Sequence, residues 1–387
     1  MRRFGRDTLA QALRETRDST WQVLDALEPA QWRVPRRDTL NLPLWEIGHV
    51  GWFQEFWCLR RAETGPPQAA RPSLLAHADR WFDSAQVAHA DRWSLDLPSL
   101  EQLREWLDAV LDASLARLRT LPDTDESLYW HRLALVHEQF HVEAFGYTWQ
   151  ALGYRQPGPR WNPPGRMRLG RDATLAGGTL ELGSRPGDGF VFDNEKWAHP
   201  VKVAPFEVSL QPTTNAEFLQ FVEAGGYRDP ALWPADTFAR LQAEGRTAPW
   251  GWRRVGARWQ RRWFDTWIPI EPYAPVVQVD AFEAEAWCAW AGRRLPTEAQ
   301  WEYAALHCED FEWGDRVWEW TASPFLPYPG FSPDAYRDYS QPWFGDHRVV
   351  RGGSFATLPS LVDPKLRNFY LPERGDVFVG FRSCARG

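Results

Sequence analysis

The chain has 387 residues, 44% hydrophobic and 25% charged, with 44 Lys and Arg against 51 Asp and Glu for a net charge of −7. Length and balance point to two or three globular domains and exclude disorder, collagen and a small disulfide scaffold. The acidic balance argues against a nucleic-acid binder, which needs a basic surface, and no apolar run approaches the about 18 residues of a membrane span.

The opening stretch MRRFGRDTLAQALRETRDST has basic residues but no apolar centre, so no secretory leader is expected and the protein is expected in the cytoplasm. Apolar residues then recur at three- and four-residue spacing through Leu9, Leu13, Val23, Leu24 and Leu27, which predicts a helix. A second helix is predicted from near Leu44 to Leu59, after Pro43. A third begins at Pro98 and Ser99 and carries the stripe Leu103, Leu107, Val110, Leu111 and Leu115. The fourth runs from about Asp125 to Leu152 and stops at Gly153. Four long helices predict a bundle.

A Pro- and Gly-rich stretch, RQPGPRWNPPGRMRLGRD (155–172), marks the expected domain boundary. Beyond it the helical pattern is confined to Thr214–Ala224, Ala281–Trp290 and a short piece after Pro296. Strands are predicted at Gly178–Leu182, His199–Val208 and His347–Arg351. The chain is thus an α+β multidomain protein. Its 25 tryptophans suit an irregular fold that must pair apolar area with N–H donors. The four cysteines are scattered without a CxxC and read as buried free thiols.

In LALVHEQFHVEAFGYTW, His137 and His141 lie four apart, so a helix projects both from one face toward a common ligand. HEQFH also matches the HExxH motif of zinc peptidases, with Glu138 as the base, but the downstream HxxGxxH extension is missing. A third ligand upstream fits better. His49, in LPLWEIGHVGWFQEFW, lies on the second predicted helix, and a bundle can bring it against the other two. Three neutral imidazoles suit zinc, copper, iron or nickel, so the ligands alone do not choose the metal. The remaining histidines read as structural or surface residues.

Six strings of the second half are DNEKWAHPV, TTNAEFLQFVEAGGY, WAGRRLPTEAQWEYAA, VWEWTASPFLPYPGF, RVVRGGSFAT and RNFYLPERGDVFVGFRSCAR. In this order they resemble the formylglycine-generating-enzyme-like domain, a C-type-lectin-like fold, and the helical half with His49 and HEQFH resembles the DinB-like four-helix bundle. Together they resemble the ergothioneine-biosynthesis sulfoxide synthases, non-haem iron enzymes acting on hercynine with O₂. The resemblance implies a bundle over 1–155 with a three-His iron site, and a domain over 156–387 that completes the substrate pocket. It implies Fe(2+) on His49, His137 and His141, with O₂ as co-substrate. It also implies Asn368 for the hercynine imidazole, Phe369 for its trimethylammonium and Arg374 for a donor carboxylate. A tyrosine is expected as proton or electron donor, with Tyr370 and Tyr328 as candidates.

The sequence departs from that family on the donor side. Phe140 stands where glutamylcysteine-using members often have Gln, Tyr370 replaces an acidic residue, and WFDSAQVAHADRW (81–93) lacks the expected arginine-rich segment. These departures resemble the selenoneine synthase branch, which joins hercynine to a selenosugar. The alternatives are a thiol donor (cysteine or glutamylcysteine) and, outside enzymes, a lectin-like binding module. A copper-dependent formylglycine oxidase is set aside, because no cysteine follows in RGGSFATLPSLVDPKLRNFY.

Overall fold

A computed structural model describes residues 1–167 and 170–386. The chain divides into two compact units, the first comprising Met1–Thr148, Pro186–Phe192 and Pro333–Tyr339 and the second the remainder. The division falls at Thr148, and two short segments of the second half belong to the helical unit.

The first unit contains α1 (Arg6–Leu24), α2 (Pro43–Glu55), the short α3 (Ala78–Phe82), α4 (Leu100–Thr120) and most of α5 (Asp125–Leu152). The four predicted helices are present, and α3 is additional. Local chemistry explains their ends. Pro43 opens α2, where its missing N–H costs nothing, and Ser99 and Gln102 cap α4 reciprocally. Gly153 takes φ +71° just past α5. Leu9, Leu13, Leu115, Leu118, Leu128 and Leu135 pack α1, α4 and α5 together. In α2, Gly48 and Gly51 allow close approach: a Cβ would lie 2.1 Å from the Phe82 ring and 2.7 Å from Leu107. After Glu55, α2 widens into a π turn over Phe56–Arg60. Arg60 there pairs with Asp79 at 2.6 Å, and Trp52 Nε1 donates to Asp79 at 2.7 Å, which fixes α3 against α2.

Among its described residues the second unit holds four small sheets. Strands β1 (Asp172–Leu175) and β4 (Phe206–Ser209) join β13 (Cys384–Ala385) and β8 (Arg293–Arg294) in the order β1-β4-β13-β8. Strands β9 (Trp318–Pro324), β10 (Arg348–Gly352), β11 (Asn368–Tyr370) and β12 (Val379–Phe381) form the order β11-β10-β9-β12. Strands β2 (Gly178–Leu182) and β3 (His199–Val203) pair alone, and β5 (Trp252–Val255), β6 (Arg258–Trp263) and β7 (Thr266–Pro269) make a meander. Helices α6 (Asn215–Glu223), α7 (Ala235–Ala243), α8 (Ala281–Trp290) and α9 (Glu298–His307) complete it. The predicted strand over His199–Val208 is two strands, because Pro205 cannot donate to a ladder. The meander and α7 were not expected.

This unit is rich in loops, and buried arginines take the place of regular structure. Arg351, Arg367 and Arg382 are fully buried and pair with Glu302, Glu298 and Glu319. Each also donates to main-chain carbonyls, most of them outside the strands: Arg382 to Ser209 and Leu210, Arg367 to Asn194 and Leu326, Arg351 to Pro364 and Lys365. A buried charge is tolerated only when so paired, and the carbonyls gain donors that no ladder provides. The strings RVVRGGSFAT and RNFYLPER therefore serve the fold through Arg351 and Arg367. Among the described residues no helix is long and apolar enough to cross a membrane.

Candidate metal centre

His49 on α2 and His137 and His141 on α5 bring one ring nitrogen each to within 4.8 Å of one another. Their second nitrogens decide how they present themselves. His49 Nδ1 lies 2.8 Å from the carbonyl of Phe82, at the end of α3. A carbonyl only accepts, so Nδ1 carries the proton and Nε2 keeps its lone pair. His141 Nδ1 lies 2.8 Å from Glu46 Oε1, and the carboxylate imposes the same tautomer. His49 Nε2 and His137 Nε2 are 3.2 Å apart, while His137 Nδ1 is buried without a partner among the described residues. With a cation among them, His137 Nε2 would present its lone pair beside those of His49 and His141. The donor set fits a divalent transition metal.

Burial keeps His49 and His137 neutral. Desolvation, then the His141 charge, lowers the His49 pKa to about 3, and desolvation holds His137 well below the ordinary value. Protons therefore do not compete for these two nitrogens near pH 6.5, where the ordinary imidazole value would place the loss of metal.

Aromatic rings wall the cluster. Phe53 stacks on His137 with centroids 3.6 Å apart, Trp45 stacks on His49 at 5.1 Å, and Trp45 Nε1 donates to the Trp81 carbonyl at 2.7 Å. From the segment Pro333–Tyr339, Tyr336 places its ring 4.8 Å from Phe53 and 6.3 Å from His137. Phe140 meets Phe192 at 6.2 Å and Tyr339 at 6.5 Å. Sequence reasoning missed Glu46, Tyr336 and Tyr339. Glu46 stands one helical turn before His49, and the two tyrosines stand three apart in PDAYRDYSQPWF, an aromatic-rich loop with no periodicity to single it out.

Glu138 is not available as a base. It is buried and receives Arg17 Nε at 2.8 Å, Arg17 Nη2 at 3.2 Å and Thr20 Oγ1 at 2.8 Å. The peptidase reading of HEQFH fails on that point.

The remaining expected site residues lie in the second unit. Tyr328 belongs to a hydrophobic core with Leu180, Trp301 and Phe311. Its ring lies 4.1 Å under the Arg367 guanidinium and its hydroxyl lies 3.4 Å from Glu298. Its ring and hydroxyl are thus engaged within the core of the second unit. On β11 the side chains alternate. Asn368 Nδ2 donates to the Tyr370 hydroxyl at 3.3 Å, on one face, whereas Phe369 stacks on Phe325 at 4.0 Å. Asn368 and Phe369 are thus not brought together; Asn368 and Tyr370 are. Arg374 is already paired with Asp376 through bonds of 2.5 and 2.9 Å, so its charge is compensated without a ligand.

Residues 162–317 and 313–386 match the sulfatase-modifying factor enzyme 1-like domain, and residues 12–145 match the DinB superfamily. A hercynine oxygenase of Mycolicibacterium smegmatis is 33% identical, over 98% of this chain and 99% of its own length. A hercynine oxygenase of Mycobacterium tuberculosis is 34% identical, over 89% and 91% respectively. A formylglycine-generating enzyme of Streptomyces coelicolor is 30% identical, over 59% of this chain.

Proposed function

The chain belongs to the hercynine oxygenase family of oxidoreductases, and from that membership we propose that it is a mononuclear non-haem iron enzyme that uses O₂ to join a chalcogen donor to the imidazole of hercynine. The observation that carries the reading is the convergence of three imidazole donors, two with a second nitrogen held by a fixed acceptor. Iron bound there would supply the electron-transfer and O₂ chemistry that side chains lack.

The chain's own groups do the rest. His49 and His141 hold their lone pairs toward the metal. Phe53 and Trp45 exclude water from the ligand cluster. Tyr336, rather than Tyr328 or Tyr370, is the proton donor, since its ring stands beside His137. Asn368 recognises hercynine, as the family resemblance implies, and either Phe369 or Tyr370 offers the aromatic face for its fixed cation.

For the donor we propose a selenosugar, with C–Se bond formation. A neutral, hydroxyl-rich donor suits a chain in which Arg374 is neutralised by Asp376 and Tyr370 offers a hydroxyl. A second reading, a thiol donor such as cysteine or glutamylcysteine, is favoured by Arg92. That residue is partly buried, lies 3.5 Å over the Trp45 ring and leaves Nε without a partner. Iron-loaded protein offered hercynine with a selenosugar, its sulfur analogue and glutamylcysteine in competition decides by product mass. The selenosugar adduct is expected to dominate; a dominant glutamylcysteine adduct overturns the selenium reading and leaves the iron reading intact.

A further inference from the structure

We infer that Glu46 is a positioning residue for the metal: a carboxylate one hydrogen bond outside the ligand set that supplies the negative charge three imidazoles lack. Mononuclear iron sites with a facial triad commonly bind one carboxylate directly. Here none of the three converging groups is anionic. Glu46 is 3% exposed on an aromatic-rich helix, its Oε1 2.8 Å from His141 Nδ1. Burying a carboxylate is costly unless it is paired, and this one is spent on the back of a ligand. An acceptor in that position fixes the ring, keeps the lone pair on the metal side and makes the imidazole more basic. It also puts a negative charge where a trivalent metal gains more from it than a divalent one, so it favours the ferric state.

A competing account is that Glu46 merely balances Arg92. The two interact electrostatically, and Arg92 stacks on Trp45, which stacks on His49. The two accounts separate experimentally. Glu46→Gln keeps an oxygen that can accept from His141 but removes the charge; Glu46→Ala removes both.

The inference rests on the iron reading, so the test starts with metal alone. Wild-type protein is titrated with Co(II) and Fe(II), and the Fe(III)/Fe(II) midpoint potential is measured in wild type, Glu46→Gln and Glu46→Ala. Glu46→Ala is expected to weaken metal binding by roughly 10- to 100-fold. Glu46→Gln is expected to lose less affinity but to shift the ferric-over-ferrous preference about tenfold toward ferrous, an upward move of about 59 mV for one electron. The same shift in an Arg92→Gln background supports a direct role at the metal. A shift that vanishes there, or a Glu46→Gln protein with wild-type affinity and potential, overturns it. Should Glu46→Ala not fold, Glu46→Gln alone decides. Wild-type protein that binds no divalent metal at the histidines would instead sink the iron reading itself.

Discussion

His137 and Glu138 are neighbours on one helix, both packed among other elements of the bundle, and the structure uses them in opposite ways. Glu138 is saturated: Arg17 and Thr20 supply three hydrogen bonds, and Arg17 is bonded in turn to Gln54 and the Leu107 carbonyl. The clasp ties α1, α2, α4 and α5 together. His137 faces two other imidazoles, with one nitrogen 3.2 Å from His49 and the other buried without a partner among the described residues. A polar cluster whose bonds are complete holds a fold; one in which three imidazole nitrogens converge is a candidate for something it binds. The second unit repeats the contrast at Arg367 and Asn368. Arg367 is fully buried and bonded on every side to Glu298, Asn194 and Leu326, while Asn368 is half-buried with Tyr370 on its face.

The largest effect expected from this contrast is at the triad. His137→Ala should reduce metal content and turnover to background while the protein stays folded, since deleting an under-bonded buried group is cheap. Metal analysis beside circular dichroism checks it; a variant that turns over normally would remove the triad from the chemistry. The clasp should behave in the reverse way. Arg17→Met leaves Glu138 as an uncompensated buried carboxylate, and about 3–5 kcal/mol of stability should go, read from urea unfolding. If Arg17→Met unfolds no more easily than wild type, the clasp is not what holds the bundle.

Tyr336→Phe probes what converges on the cluster without belonging to it. It keeps the ring against Phe53 and His137 and removes only the hydroxyl. Loss of a positioned proton donor should cost on the order of 10²-fold or more in kcat, with metal content unchanged. Equal kcat in the variant would return the donor question to Tyr370.

Acid separates the clusters further. In the metal-free folded protein His49 stays neutral down to about pH 3, whereas the unfolded chain takes up that proton near the ordinary imidazole value of 6.5. Below pH 6.5 the unfolded state therefore binds more protons, so stability is full above that pH and is lost progressively as pH falls toward 3. His49→Leu should flatten this dependence between about pH 7 and pH 5 in urea midpoints, and an unchanged slope would contradict it.

Much of this was legible in the sequence, for reasons that differ by residue. His137 and His141 stood out because two imidazoles at helical spacing in an apolar run have no cheap structural use, and His49 followed from the bundle they implied. Glu46 was not legible. One acidic residue in LWEIGH reads as a helix surface position, and only the packing of α2 against α5 shows it buried behind His141. Tyr336 was hidden because loops carry no period; its place depends on the segment Pro333–Tyr339 folding with the bundle. The core setting of Tyr328 was hidden for a similar reason, since nothing local marks a tyrosine that packs under an arginine.

The smallest expected effect tests whether the contrast holds on β11. The family resemblance assigns the aromatic wall for hercynine's cation to Phe369, but strand alternation gives Asn368's face to Tyr370, and Phe369 packs on Phe325. A desolvated cation–π contact is worth roughly 0.5–2 kcal/mol, which corresponds to about a 2- to 30-fold rise in the hercynine KM when the ring is lost. Tyr370→Ala should produce that rise with little change in melting temperature. Phe369→Leu, which keeps an apolar group against Phe325, should lower the melting temperature and leave KM within about twofold. Trimethylammonium is the discriminating group, so the KM for histidine, which lacks it, should respond to neither substitution. The opposite split, with KM moved by Phe369→Leu and not by Tyr370→Ala, would mean that the hercynine cation is read from the Phe325 side of the strand, and that the bond between Asn368 and Tyr370 serves only to hold the turn into Leu371.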